Sequence, residues 1–140
     1  MIAQAHIDAL LERIRRIPIV DTLHMHDMSF DDGVCSVVVA RQRQFDGVFE
    51  SFHGGILTTI ADSIACFAVL TRTPVDQVLT TTEMHIRFLA PCLTDVRATA
   101  RVIKQGRLLC PVAVELHDMH GTLVAVASIT YVLLDRMPSR

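Results

Sequence analysis

"FHGGILTTIADSIACFAVLTRT", residues 52 to 73, decides the fold. From Gly54 to Leu70 it carries a single charge, Asp62, in an otherwise uncharged and largely apolar run. At helical pitch that run makes about five turns. A membrane span is one reading of it. However, a central aspartate costs roughly 2.5–3.5 kcal/mol in lipid, and Thr58, Thr59 and Ser63 weaken that reading further. The segment reads instead as a helix buried in protein and wrapped by other elements on most sides.

The flanking sequence supplies the wrapping. After the helix, "VLTTTEMHIRFLA" shows β-branched residues and period-two character, and Pro91 closes it. "TDVRATARVIKQ", "LLCPVAVELHD" and "GTLVAVASITYVLL" complete four strand-like runs with short polar connections. Pro111 inside the third run predicts an edge position or a bulge. On the other side, Ile2, Ala5, Ala9, Leu10, Ile14 and Ile17 recur at helical spacing, and Pro18 stops that first helix. "IVDTLHMHDMSF" and "VCSVVVARQR" flank Asp32-Gly33 and read as a hairpin. "QFDGVFESF" reads as a loop. The element order predicts an α+β domain: one curved, mainly antiparallel sheet around a long central helix, with the first helix at the periphery. One domain is expected over residues 1–140, with 1–17 as an N-terminal helix and 18–140 as the core.

The totals agree with this and exclude several functions. A chain of 140 residues suits one domain, and 51% hydrophobic residues argue against disorder. A formal charge of −2 gives no general attraction to nucleic acid or acidic membranes, and "RIRR" and "VIKQGR" read as solvated faces. Cys35, Cys66, Cys92 and Cys110 have neither metal-ligand nor redox-pair spacing. Without a secretory leader pattern, the expectation is a cytoplasmic protein with reduced thiols. His24 and His26 are expected on one strand face and His117-x-x-His120 near a turn, but neither pair has a third ligand in reach, so no metal is expected. No serine-nucleophile elbow is present.

Two features could carry chemistry. His53-Gly54-Gly55 stands at the helix start, where the first amides lack internal partners and feel the positive end of the dipole. Glycines allow another molecule to approach closely, so these amides could hold a carbonyl oxygen as it turns negative. The plain alternative is a flexible helix start with nothing bound. Asp62 is the second feature, because a buried acid is costly unless it is bonded. No Lys or Arg lies one turn away, and Thr58, Thr59 and Cys66 offer only hydroxyls and a thiol. Its plain alternative is an acid bonded to those threonines, or one that points to solvent. Alternation sends Thr81 to the face opposite Thr80 and Thr82, where its hydroxyl could orient a water beside Asp62. Nine residues of helix between His53 and Asp62 amount to ~13.5 Å of rise and two and a half turns. The two therefore face nearly opposite ways, and one site using both would need two subunits, with a two-fold dimer giving two equivalent sites.

"FHGGILTTIADSIACFAV", then "TTTEMHIRFLAP", then "ARVIKQGR" resembles the hotdog-fold acyl-CoA thioesterases of the phenylacetate-degradation (PaaI-like) type, from about Phe49 to Leu134. The resemblance implies a sheet wrapped around a long helix, in dimers or dimer-built tetramers with active sites at the subunit interface. It implies that the Gly54 amide polarises a thioester carbonyl, that Gly55 shapes the same turn and that His53 fixes the loop. Asp62 from the partner chain would activate water or attack directly, with Thr81 beside it. Relatives commonly carry an Asn and a Gly where this chain has Gly47 and Glu50, so Asp46 or Glu50 would take over hydrogen bonding to substrate. Arg72, Arg87, Lys104 and Arg107 are candidates for the phosphates of CoA. No cofactor is implied.

The expected function is therefore an acyl-CoA thioesterase acting on acyl- or aryl-CoA. A non-catalytic acyl-CoA-binding protein of the same fold is one alternative. A hydratase or dehydratase is another, but the D-x-N-x-x-H signature of hotdog hydratases is missing.

Overall fold

The structure, a computed structural model, describes residues 1–135. Two helices lead, α1 (Gln4–Arg15) and α2 (Pro18–Thr22), followed by the hairpin β1 (Met25–Asp31) and β2 (Val34–Val39). A loop with one 3₁₀ turn (Arg43–Phe45) leads to α3 (Gly54–Leu70). Four strands follow: β3 (Val78–Phe88), β4 (Val96–Val102), β5 (Leu109–Asp118) and β6 (Leu123–Leu134). They form one six-stranded sheet of order β1-β2-β4-β5-β6-β3, with every neighbouring pair antiparallel. This is the hotdog arrangement, α+β in class, and α3 is the run of residues that the sequence marked.

The packing explains why α3 can be so apolar. Ile60, Ala61, Ile64, Ala65, Ala68 and Val69 are fully buried, facing chiefly β2, β4 and β5. Ala61, Ala65 and Ala68 on α3 and Ala98 and Ala100 on β4, the strand it packs against, are all fully buried, so small residues occupy both sides of that contact. Burying each isoleucine contributes about 1.5–3 kcal/mol. No helix among the described residues is long and apolar enough to cross a membrane.

Four details depart from the sequence reading. Pro18 does stop α1, but it also starts α2 as its first residue, where the missing N–H costs nothing. Residues 18–22 are consequently helical rather than the head of a strand. His24 falls in the turn after α2, so it shares no strand face with His26. Pro111 lies in β5, an inner strand, where neither an edge nor a bulge accommodates it. It sits one step past the last β4 pair, Val102 with Val112, so it forfeits a bond only at the frayed end of that ladder. The first helix is less peripheral than expected. Leu10 and Ile14 are fully buried, and the His6 ring bonds the carbonyl of Leu70, at the end of α3, at 2.8 Å.

The Asp32-Gly33 hairpin forms as expected, with Asp31 paired to Val34. One irregularity matters for the site. Thr81 pairs with Tyr131 and Glu83 with Thr130, so Thr82 is an extra residue in β3. Before this bulge Leu79 and Thr81 turn inward, and after it Met84 and Ile86 do.

Candidate functional site

His53 is the N-cap of α3, and its Nδ1 accepts the Gly55 N–H at 2.8 Å. Nδ1 is therefore unprotonated, and the ring's proton belongs on Nε2. The His53 carbonyl takes the N–H groups of Ile56 and Leu57, at 2.9 and 3.0 Å. That leaves one amide of the first turn, that of Gly54, without a partner among the described residues. A Cβ on Gly54 would lie 3.2 Å from the tip of the Phe88 ring. A Cβ on Gly55 would lie 3.0 Å from His53 Nδ1. Both glycines therefore have close side-chain neighbours, which would have to give way to a Cβ.

The loop before this turn is tied down by Arg41, which the sequence reading did not single out. Its guanidinium bonds the Glu50 carbonyl at 2.6 Å, the Leu93 carbonyl at 2.6 Å and the Asp46 carboxylate at 2.8 Å. Arg43 adds a second ion pair to Asp46 at 3.0 Å. The Arg41 hydrogen bond is the main reason that the Asp46 carboxyl is held below the usual carboxylate range. Asp46 thereby anchors the loop, and its carboxylate is spent on two guanidiniums. Glu50 is exposed, with backbone φ of +56°, and contributes its carbonyl to Arg41.

Asp62 lies in the middle of α3. Thr58, Thr59 and Ser63 do not serve it, because their hydroxyls bond back to the carbonyls of Gly54, Gly55 and Thr59. Its Oδ1 instead accepts from the Thr81 hydroxyl and from the Tyr131 hydroxyl, both at 2.7 Å. The Tyr131 hydroxyl also contacts the main-chain carbonyl of Asp62. Tyr131, the chain's one tyrosine, was not read from the sequence as part of the site. Being alone of its kind in an apolar strand was the available signal. Its burial is the chief reason that the phenol is pushed well above its ordinary pKa, so it stays a donor. Burial likewise pushes the Cys66 thiol, one turn along α3, up to about 12.

Beside Asp62 opens a pocket of about 280 Å³, walled by Cys66, Phe67, Leu79 and Tyr131 and bordered by Ile17 and Ile19. Two further hollows flank Gly54, one towards Phe88 and Pro91 and one towards Val48 and Phe49.

The cationic candidates divide between the two ends of the sheet. Arg87 is exposed next to Phe88, at the Gly54 end. Arg72 is bound to Asp32 at 2.7 Å, beyond the other end of α3. Lys104 and Arg107 belong to the β4–β5 turn near Gly33, also at that far end. No group of three or more metal-ligating side chains occurs among the described residues.

Solved structures share this architecture. A thioesterase family protein from Silicibacter pomeroyi is 21% identical, with a TM-score of 0.85, covering 92% of this chain and 98% of its own. The PaaI protein of the E. coli phenylacetic acid degradation operon is 19% identical, with a TM-score of 0.88, covering 99% and 100%. A putative thioesterase of Ralstonia eutropha JMP134, described as phenylacetic acid degradation-related, is 24% identical, with a TM-score of 0.80 over 89% and 98%. At these identities the likeness speaks for the hotdog fold. No curated protein matches the chain. Residues 9–133 match the family model described as "Domain of unknown function (DUF4442)", and the chain belongs to that family.

Proposed function

We propose that this chain is an acyl-CoA thioesterase, which hydrolyses acyl-S-CoA to a free acid and CoA with sites shared between two copies. The observation that carries this reading is that α3 holds both an N-terminal amide, Gly54, and an acid oxygen, Oδ2 of Asp62, that have no partner among the described residues. Thioester hydrolysis needs both functions: a donor for the developing oxyanion and a base for water. Asp62 takes a proton from water as the water oxygen adds to the carbonyl carbon. Negative charge gathers on the carbonyl oxygen against the Gly54 N–H. Collapse breaks the C–S bond, and the departing thiolate receives the proton from Asp62.

Gly54 and Asp62 are eight residues apart in α3, ~12 Å of rise. One thioester carbonyl does not span that gap, so the acid comes from a second copy. The topology offers a way to bring it there. β3 is an edge strand of 11 residues, with one side unpaired among the described residues. It touches Asp62 through Thr81 and Gly54 through Phe88. Antiparallel pairing of β3 with its own copy, centred between those two positions, sets Thr81 of each chain opposite Phe88 of the other. Each Asp62 would then approach the partner's Gly54 turn, in two equivalent sites.

The pocket beside Asp62 would take the acyl group, and Arg87 would be the first cation available to the phosphates of CoA. A hydratase is disfavoured because the chain lacks the D-x-N-x-x-H signature of hotdog hydratases.

The test is steady-state hydrolysis of a panel of aliphatic and aromatic acyl-CoAs by the wild type and Asp62→Asn. Asn can still accept from Thr81 and Tyr131, so the fold should survive while kcat drops by about 10²- to 10⁴-fold. Equal rates would sink the role of Asp62. Saturable acyl-CoA binding with no turnover by the wild type would favour the non-catalytic alternative.

A further inference from the structure

We propose that Tyr131 is a positioning residue of this site: together with Thr81 it fixes Oδ1 of Asp62 and leaves Oδ2 as the oxygen that works on water. The inference rests on the reading of Asp62 as the base. Two donors from different strands, Thr81 of β3 and Tyr131 of β6, converge on the same carboxylate oxygen at 2.7 Å. Oδ2 has no donor among the described residues, and Asp62 borders the pocket. A carboxylate held by one oxygen cannot swing away from a reacting carbonyl. Tyr131 suits this task because its ring is only 3% exposed, held in the core between α3 and the sheet. The Tyr131 proton is shared between Oδ1 and the Asp62 carbonyl, so the side chain is tied to the helix backbone as well.

A buried tyrosine commonly finds some partner for its hydroxyl, so a purely structural role makes a different forecast. The two are separated by how the acid responds to pH. Hydrogen bonds to a carboxylate favour its charged form. With one donor gone, the acid limb of the activity profile is expected at higher pH.

Other groups nearby do not confuse that readout. On α3 the Cys66 thiol, pushed up to about 12, stays neutral. On β5 Cys110, paired in register with Tyr131, is raised by burial. From α1 Arg13 reaches towards the helix, but its guanidinium is bound to the carbonyls of Val75 and Gln77. β3 presents Leu79, Thr80 and Thr81 to the pocket, none of which titrates.

The experiment measures kcat, KM and their pH profiles for the wild type, Tyr131→Phe, Thr81→Val and Thr81→Ser, on an acyl-CoA that the wild type turns over. For Tyr131→Phe and Thr81→Val, kcat should fall about 10- to 100-fold, as expected for a lost bond to a charged group, with KM nearly constant. The acid limb of the profile should move upward. Thr81→Ser, which keeps the hydroxyl, should recover most of what Thr81→Val loses. An acid limb that stays in place, whatever the change in thermal stability, overturns the proposal. If Tyr131→Phe does not fold, Thr81→Val decides by the same limb. Asp62→Asn separates the two levels. Full activity there sinks the thioesterase reading itself. A dead Asp62→Asn beside an unshifted Tyr131→Phe sinks only the clamp.

Discussion

The ring of Phe88, from the last turn-facing position of β3, closes over Gly54 so tightly that a Cβ there would meet its Cζ at 3.2 Å. Phe88 is half exposed, so its tip can yield by a few tenths of an ångström. Gly54→Ala should therefore leave stability nearly unchanged, since alanine gains about 0.5–1 kcal/mol over glycine in a helix and this offsets the displacement of the ring. The methyl group would instead occupy the approach to the free amide. If that amide binds the oxyanion, kcat should fall on the order of 10²-fold, as when an oxyanion donor is removed. Thermal melting and kinetics measured side by side check the dissociation of the two effects. Equal loss of both would make Gly54 a structural glycine.

How much of this was legible in the sequence depended on the range of the interaction. The span of α3 was readable because Gly54 to Leu70 is marked locally, by glycines at one end and unbroken apolar residues along its length. The Asp32-Gly33 turn was readable for the same reason. Pro18 carried two messages, stop and start, and only packing chose both. Pro111 could not be placed because its fate depends on where β4 ends, a property of another segment. The bulge at Thr82 hides within three identical threonines. Asp62 and the HGG turn stood out by composition. Their supports did not: Tyr131 lies 69 residues from Asp62, and Arg41 ties its own loop to Leu93 of the β3–β4 loop, 52 residues on.

The pocket beside Asp62 gives a second prediction. Ile19 is at its border and 38% exposed, so a larger side chain can be tolerated there without core strain. Ile19→Phe should shorten the pocket and shift preference towards smaller acyl groups. Each excluded methylene is worth about 1–3 kcal/mol, or 10- to 200-fold in kcat/KM. The ratio of kcat/KM for long and short acyl-CoAs, compared with that of the wild type, measures it. An unchanged ratio would place the acyl group elsewhere.

Acid should loosen the loop before α3. The Asp46 carboxyl is held below the ordinary carboxylate range, first by its bond to Arg41. A folded-state pKa below the unfolded one contributes stability above the unfolded value, and that contribution disappears as pH falls through the folded one. Thermal midpoints of the wild type and Asp46→Asn should accordingly differ near neutrality and converge well below pH 3.8. A gap that persists undiminished into acid would mean that the loss comes from packing and not from charge.

The shared site can be tested without a structure of the assembly. Asp62→Asn keeps the Gly54 turn, and Gly54→Ala keeps the acid, so each protein alone has two defective sites per dimer. Mixed dimers place the intact acid of one chain against the intact amide of the other, while their second site combines both defects. Equal amounts, unfolded together and refolded, form mixed dimers in half of the cases, and each of these regains one site. Activity should therefore rise to roughly a quarter of the wild-type value per chain, which is the statistical limit for a two-fold interface. Sites built within a single chain would give no recovery at all, because no protomer in the mixture carries both groups. The same mixture made with Asp62→Asn alone controls for refolding, and it should remain inactive.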